Sequence, residues 1–167
     1  MSLAGEKAQV PKEIADLLRS YAGNWSVEGS EGETPLKGTA SFRMPPGNHC
    51  IVGTVSARIG EEPFIFSLVT GWDSSTGWCT EVGVGSDGSV YRLEWRNVSP
   101  ALDEGKTVGT FGGKQFTEKA RLERKSRDHL VAAITDRMMG DKKLPDMTLI
   151  YRRVAKEKGK SEAKQAP

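Results

Sequence analysis

The stretch Tyr21-Ala22-Gly23-Asn24-Trp25-Ser26-Val27-Glu28-Gly29 decides how this chain reads. Before it, Pro11 suits the first turn of a helix, and Ile14, Leu17, Leu18 and Tyr21 recur at i, i+3, i+4 and i+7. Gly23 then closes that helix. From Trp25 onward the period is two: Trp25, Val27 and Gly29 alternate with Ser26 and Glu28. A Gly-x-Trp step here lets the chain turn and places a large ring just inside the first strand. In a closed β-barrel such a ring plugs one end of the lumen.

The same alternation runs through most of the remaining chain. Leu36, Gly38, Ala40 and Phe42 share one phase, as do Ile51, Gly53, Val55, Ala57 and Ile59. Pro45-Pro46-Gly47-Asn48 separates the two sets as a turn, and Gly60-Glu61-Glu62-Pro63 reverses the chain again. Phe64, Phe66, Leu68 and Trp72 come next on one phase, then the turn Asp73–Gly77. Trp78, Thr80, Val82 and Val84 set the next phase before the hairpin signal Gly85-Ser86-Asp87-Gly88. Tyr91, Leu93 and Trp95 alternate cleanly with Arg92, Glu94 and Arg96. Weaker strands are expected at 107–111 and 116–123, then at Leu130, Ala132 and Ile134, and last at Met147, Leu149 and Tyr151.

About nine or ten short strands with tight turns and no crossover helix make an antiparallel meander, because parallel pairing needs long connections. Closure removes both edges of such a sheet. The sequence therefore predicts an all-β protein: an antiparallel up-and-down β-barrel with a short N-terminal helix. The domain is expected over residues 11–154, between a flexible N-terminus (1–10) and a disordered lysine-rich tail (155–167).

A chain of 167 residues is long enough for one such core. Its formal charge of +2 resides in the tail, which leaves the body balanced and argues against a nucleic-acid footprint. No apolar run is long enough for a transmembrane helix, and the first residues lack the apolar region of a signal peptide. A cytoplasmic location is expected, with Cys50 and Cys79 reduced and too few to build a zinc site.

The helix, the opening strand and two later elements together resemble the calycin-like barrels, the group of lipocalins and fatty-acid-binding proteins. More narrowly they resemble an uncharacterised bacterial lipocalin-like family. The matching residues are Gly23-Asn24-Trp25-Ser26-Val27-Glu28-Gly29, Gly71-Trp72-Asp73-Ser74-Ser75-Thr76-Gly77 and Tyr151-Arg152-Arg153. The resemblance spans about residues 12 to 154. It implies a barrel fold and at most a small apolar ligand in the lumen, and it transfers no catalytic residue.

Motifs for chemistry are sparse. Gly83-Val84-Gly85-Ser86-Asp87-Gly88 matches the string of a dinucleotide loop, but a strand follows where a helix is required, so it reads as a hairpin. No serine sits on a nucleophile elbow. His49 shares the phase of Ile51 and would be the axial ligand if haem bound; otherwise no metal or cofactor is expected. Glu118 and Asp136 share phases with inward-reading apolar residues and would bring two carboxylates into the lumen.

These readings favour a non-enzymatic module that binds a small apolar ligand. Its lumen candidates are Trp25, Phe66, Trp78, Tyr91, Leu93, Trp95, Glu118 and Asp136. The alternative is an assembly domain with a filled core that homodimerises through outward residues such as Ile65, Val69 and Ile150. A haem protein or lumenal enzyme is the weaker third reading. Neither nucleic acid nor a membrane is expected as a partner.

Overall fold

A computed structural model describes residues 9–155. The expectations for residues 1–8 and 156–167 lie outside the described residues. The first element is α1 (Lys12–Tyr21), which buries Leu18 completely and packs Ile14, Leu17 and Tyr21 against Ile51, Cys79 and Trp95. Its polar side carries Asp16, bridged by Lys12 and by Arg19 at 2.5 Å. These are the one-turn pairs that support an exposed helix face.

The chain then forms a continuous meander of strands: β1 (Gly23–Glu31), β2 (Thr34–Arg43), β3 (Cys50–Ile59), β4 (Glu62–Trp72), β5 (Cys79–Gly85), β6 (Val90–Ser99), β7 (Leu102–Phe111), β8 (Lys114–Ser126) and β9 (His129–Met139). The two-residue β10 (Lys142–Lys143) and the closing β11 (Met147–Arg153) complete it. Each strand from β1 to β9 pairs antiparallel with the next, β9 pairs with β11, and β11 pairs with β1. Ten long strands thus close an antiparallel barrel, as the meander and its short turns require. The small β10 folds back on the end of β9, opposite Met138 and Met139.

Register fixes which face looks inward. Trp25 stands opposite Ala40 and Arg153, and Val27 opposite Gly38 and Tyr151. From there the inward positions run around the barrel as one phase per strand. Trp25, Val27, Leu36, Ala40, Ala57 and Leu130 form its close-packed part. A register shift in the middle of the β8–β9 pair breaks the pattern: Thr117 pairs with Met138 but Lys119 with Thr135, which leaves one extra residue on β9. Asp136 sits in that bulge with φ 51°. The bulge sends Asp136 outward and Arg137 inward, since each added residue reverses the phase beyond it.

α1 and the β2–β3, β4–β5, β6–β7 and β8–β9 connections gather at one end of the barrel. Trp25 is the plug of that end. Only 1% of its surface is exposed, its Nε1 donates to the Tyr21 carbonyl at 3.0 Å, and the Arg153 guanidinium lies 4.1 Å from its ring centroid. Arg153 also donates to the carbonyls of Ser20 and Ala22 at 2.8 and 2.6 Å, a cation placed on the open C-terminal end of α1. A second anchor is buried nearby. Tyr21 and Arg124 both donate to Asp103, which also accepts from Asn97 at 2.9 Å.

Candidate functional site

Below the helix-capped end the barrel is lined by Phe64, Phe66 and Leu68 from β4, Glu81 from β5, and Tyr91 and Leu93 from β6. Glu118 of β8, Ile134 of β9 and Leu149 and Tyr151 of β11 complete the lining. All of them point inward in a closed sheet, yet each remains partly exposed. They are less tightly enclosed than the residues packed under α1, such as Trp25 and Val27.

Aromatic rings and glycines alternate across the strands of this wall. Tyr91 pairs across strands with Gly83, Phe66 with Gly85, Phe116 with Gly109 and Phe42 with Gly53. In each pair a β-carbon on the glycine would collide with the partner's ring. The rings thus lean along the wall over residues that have no side chain, a known way of compensating glycine in a strand. Phe64, Phe66 and Tyr91 continue edge to face, with ring centroids 5.4 and 5.8 Å apart.

Two polar groups interrupt this apolar lining. Glu81 accepts from Thr70 Oγ1 at 2.6 Å and from the Tyr91 hydroxyl at 2.8 Å. Burial pushes its carboxyl above the ordinary range, against the two hydrogen bonds that favour the charged form. Glu81 is thus deep in the protein and still partly exposed, a combination that fits a group on the wall of an interior space. Burial, and then the charge of Glu81, push the hydroxyls of Tyr91 and Tyr151 up as well.

The second group is built on the β9 bulge. Arg137 donates to Glu118 Oε2 at 3.1 Å, to Glu31 Oε1 at 2.6 Å and to the Pro145 carbonyl at 2.7 Å. Burial raises the pKa of Glu118 despite the facing guanidinium.

Of the residues expected in the lumen, Phe66, Tyr91, Leu93 and Glu118 stand on the inward phase of their strands below the helix-capped end. Trp25 and Trp95 also point inward but are buried at the helix-capped end, Trp95 with Leu18, Ile51 and Cys79. Two expectations are corrected. Trp78 lies outside the lumen: it precedes β5, is 36% exposed and meets Arg96, whose guanidinium is 5.1 Å from the ring centroid. The inward phase of β5 is Cys79, Glu81, Gly83 and Gly85, because only small residues fit opposite the rings of Phe66 and Tyr91. Asp136 is also outside, paired on the surface with Lys119 at 2.7 Å, because of the bulge.

His49 is corrected too: it is exposed in the β2–β3 connection and does not reach the lumen. Gly85–Gly88 forms the expected hairpin between β5 and β6. Cys50 and Cys79 are free thiols, and burial pushes that of Cys79 up to about 12. Among the described residues no group of three or more His, Cys, Asp or Glu side chains is placed to hold a metal ion, and no helix is long and apolar enough to cross a membrane. Sequence reasoning missed Glu81, Thr70, Tyr151 and Arg137. Their partners come from neighbouring strands, so only the register unites them.

No family description and no curated protein matches the chain. Among solved structures nine chains match. One is the structure of EF1p2_mFAP2b bound to DFHBI, 11% identical over 84% of this chain and 99% of that one, with a TM-score of 0.43. That likeness is too distant to bear on ligand or family.

Proposed function

We propose that this barrel is a non-enzymatic binding module that holds a small, mainly apolar molecule in its lumen, in the manner of the lipocalin-like proteins its motifs resemble. The observation that carries this reading is the partly exposed inward ring of Phe64, Phe66, Tyr91, Leu93, Leu149 and Tyr151. Apolar surface left facing an enclosed space gains free energy when a ligand displaces water from it, by roughly 25 cal/mol per Å². Polar groups in such a lining orient the occupant. The test is native mass spectrometry of the protein from its own host. A reproducible added mass, absent in a variant whose lumen is blocked by Ala132→Trp, supports the reading. Each protein appearing at the mass of its own bare chain, together with no binding of an apolar fluorescent dye, ends it.

A second reading rests on the outer wall. Val69 stands opposite Val82 and Val84 opposite Val90, with Ile65 nearby, and all five are exposed. Contiguous exposed apolar surface of this kind suits self-association. The face runs over β4 to β6 and not to Ile150, which sits on β11 and is partly buried. Sedimentation at rising concentration tests it: a dimer that Val69→Lys returns to monomer supports this reading, and a monomer throughout removes it.

A further inference from the structure

The charges on the lumen wall are unequal, and the inequality selects a class of ligand. Below the helix-capped end and above the exposed rim, the inward charged residues among those described are Glu31, Glu81, Glu118 and Arg137. Arg137 is already paired with two of the three carboxylates: its Nε donates to Glu118, and its Nη1 to Glu31 and to the Pro145 carbonyl. Among the described residues Arg137 is the one basic group on this stretch of wall, so the head of a fatty acid or another anion would meet one guanidinium, already shared by Glu31 and Glu118, against three carboxylates in all.

A cation meets the opposite situation. The Glu81 carboxylate has two oxygens and about four acceptor sites. Thr70 and Tyr91 occupy one on each oxygen, which leaves acceptor capacity for a donor arriving from the lumen. Both hydroxyl partners donate to Glu81, so the wall around it is arranged to receive hydrogen bonds, not to give them. The ring of Tyr91 stands beside this carboxylate, held against the wall over Gly83, and Phe66 packs edge to face on that ring from the far side. Aromatic faces attract a cation by their quadrupole, more strongly where water is excluded.

We propose that the lumen takes a cationic amphiphile, an apolar or aromatic body bearing a protonated amine that pairs with Glu81, and discriminates against carboxylates of the same body. This rests on the container reading above and specifies its ligand. The raised pKa of the buried carboxyl fits the assignment, since an ammonium group in contact with it would favour the charged form that burial alone disfavours.

Three probes with one body and different heads test this: 4-phenylbutylamine, 4-phenylbutanol and 4-phenylbutyrate, titrated calorimetrically into the full chain at neutral pH. The amine should bind about tenfold or more tightly than the alcohol, the value of a charge-assisted hydrogen bond, and the carboxylate more weakly than either. Glu81→Gln should erase the preference, so that amine and alcohol bind alike. The head-group order in the unaltered protein decides the matter even if that variant does not fold. Equal binding of amine and alcohol, or tightest binding of the carboxylate, overturns the cation assignment while leaving the container reading intact. No binding of any probe, together with no binding of an apolar dye, overturns both.

Discussion

The ring of Tyr91 lies over Gly83 of the neighbouring strand, in the space that a β-carbon there would occupy. Gly83 has no positive φ, so its backbone suits any residue and the constraint is purely steric. Gly83→Ala should therefore destabilise the barrel by about 1–3 kcal/mol, as overpacking does. In a Tyr91→Ala background the same change should cost little. Urea unfolding of the four proteins closes this cycle. An equal cost in both backgrounds would show that the ring is not what reserves the site for glycine.

This pairing also shows where the sequence stopped being legible. The helix, Gly23 and Trp25 are local signals, and Tyr91, Leu93 and Trp95 alternate with charges that can only face water. From these the barrel follows. On β5 the rule reversed: Val82 and Val84 are the apolar residues and face outward, while Glu81, Gly83 and Gly85 face the lumen. Nothing local says that the inward positions must be small, because the rings that require it sit on β4 and β6. Asp136 failed differently. A bulge of one residue reverses a strand's faces, and no glycine or proline marks it.

The Glu81 carboxyl gives the fold a definite pH dependence. An acid whose pKa is raised by folding binds its proton more tightly in the native state, so its ionisation is a penalty on that state. The penalty begins as pH rises past the ordinary value of 4.5 and is complete above the raised folded value. Glu81→Gln keeps the shape and removes the charge. Its stability relative to the unaltered protein should be lowest in acid and should increase with pH, then level off. Thermal midpoints of both proteins across that range provide the check, and a difference that stays flat or falls with pH would show that burial does not govern Glu81.

At the helix-capped end, Asp103 is 3% exposed and joins Tyr21, Asn97 and Arg124. Asp103→Ala would leave a largely buried guanidinium without its carboxylate, a loss of about 3–5 kcal/mol. Tyr21→Phe removes one donor and leaves the ion pair intact, so about 1–3 kcal/mol is expected. Chemical denaturation should rank the two in that order. Comparable losses would mean that the aspartate's value lies in holding α1 and not in neutralising Arg124.

Two tryptophans supply the sharpest contrast. Trp25 fills the capped end with the Arg153 guanidinium over its ring and its Nε1 hydrogen-bonded. Trp25→Ala should cost about 3–5 kcal/mol through lost burial and the cavity it leaves. Trp78 has only a surface contact with Arg96, and a cation–π pair at an exposed site is worth about 0.5–1 kcal/mol, which bounds the effect of Trp78→Ala. Iodide quenching offers an independent measure of the same geometry: deleting Trp78 should remove much of the quenchable fluorescence, and deleting Trp25 should not. If Trp78→Ala proved as costly as Trp25→Ala, the inward phase assigned to β5, and with it the position of Glu81 on the lumen wall, would have to be reversed.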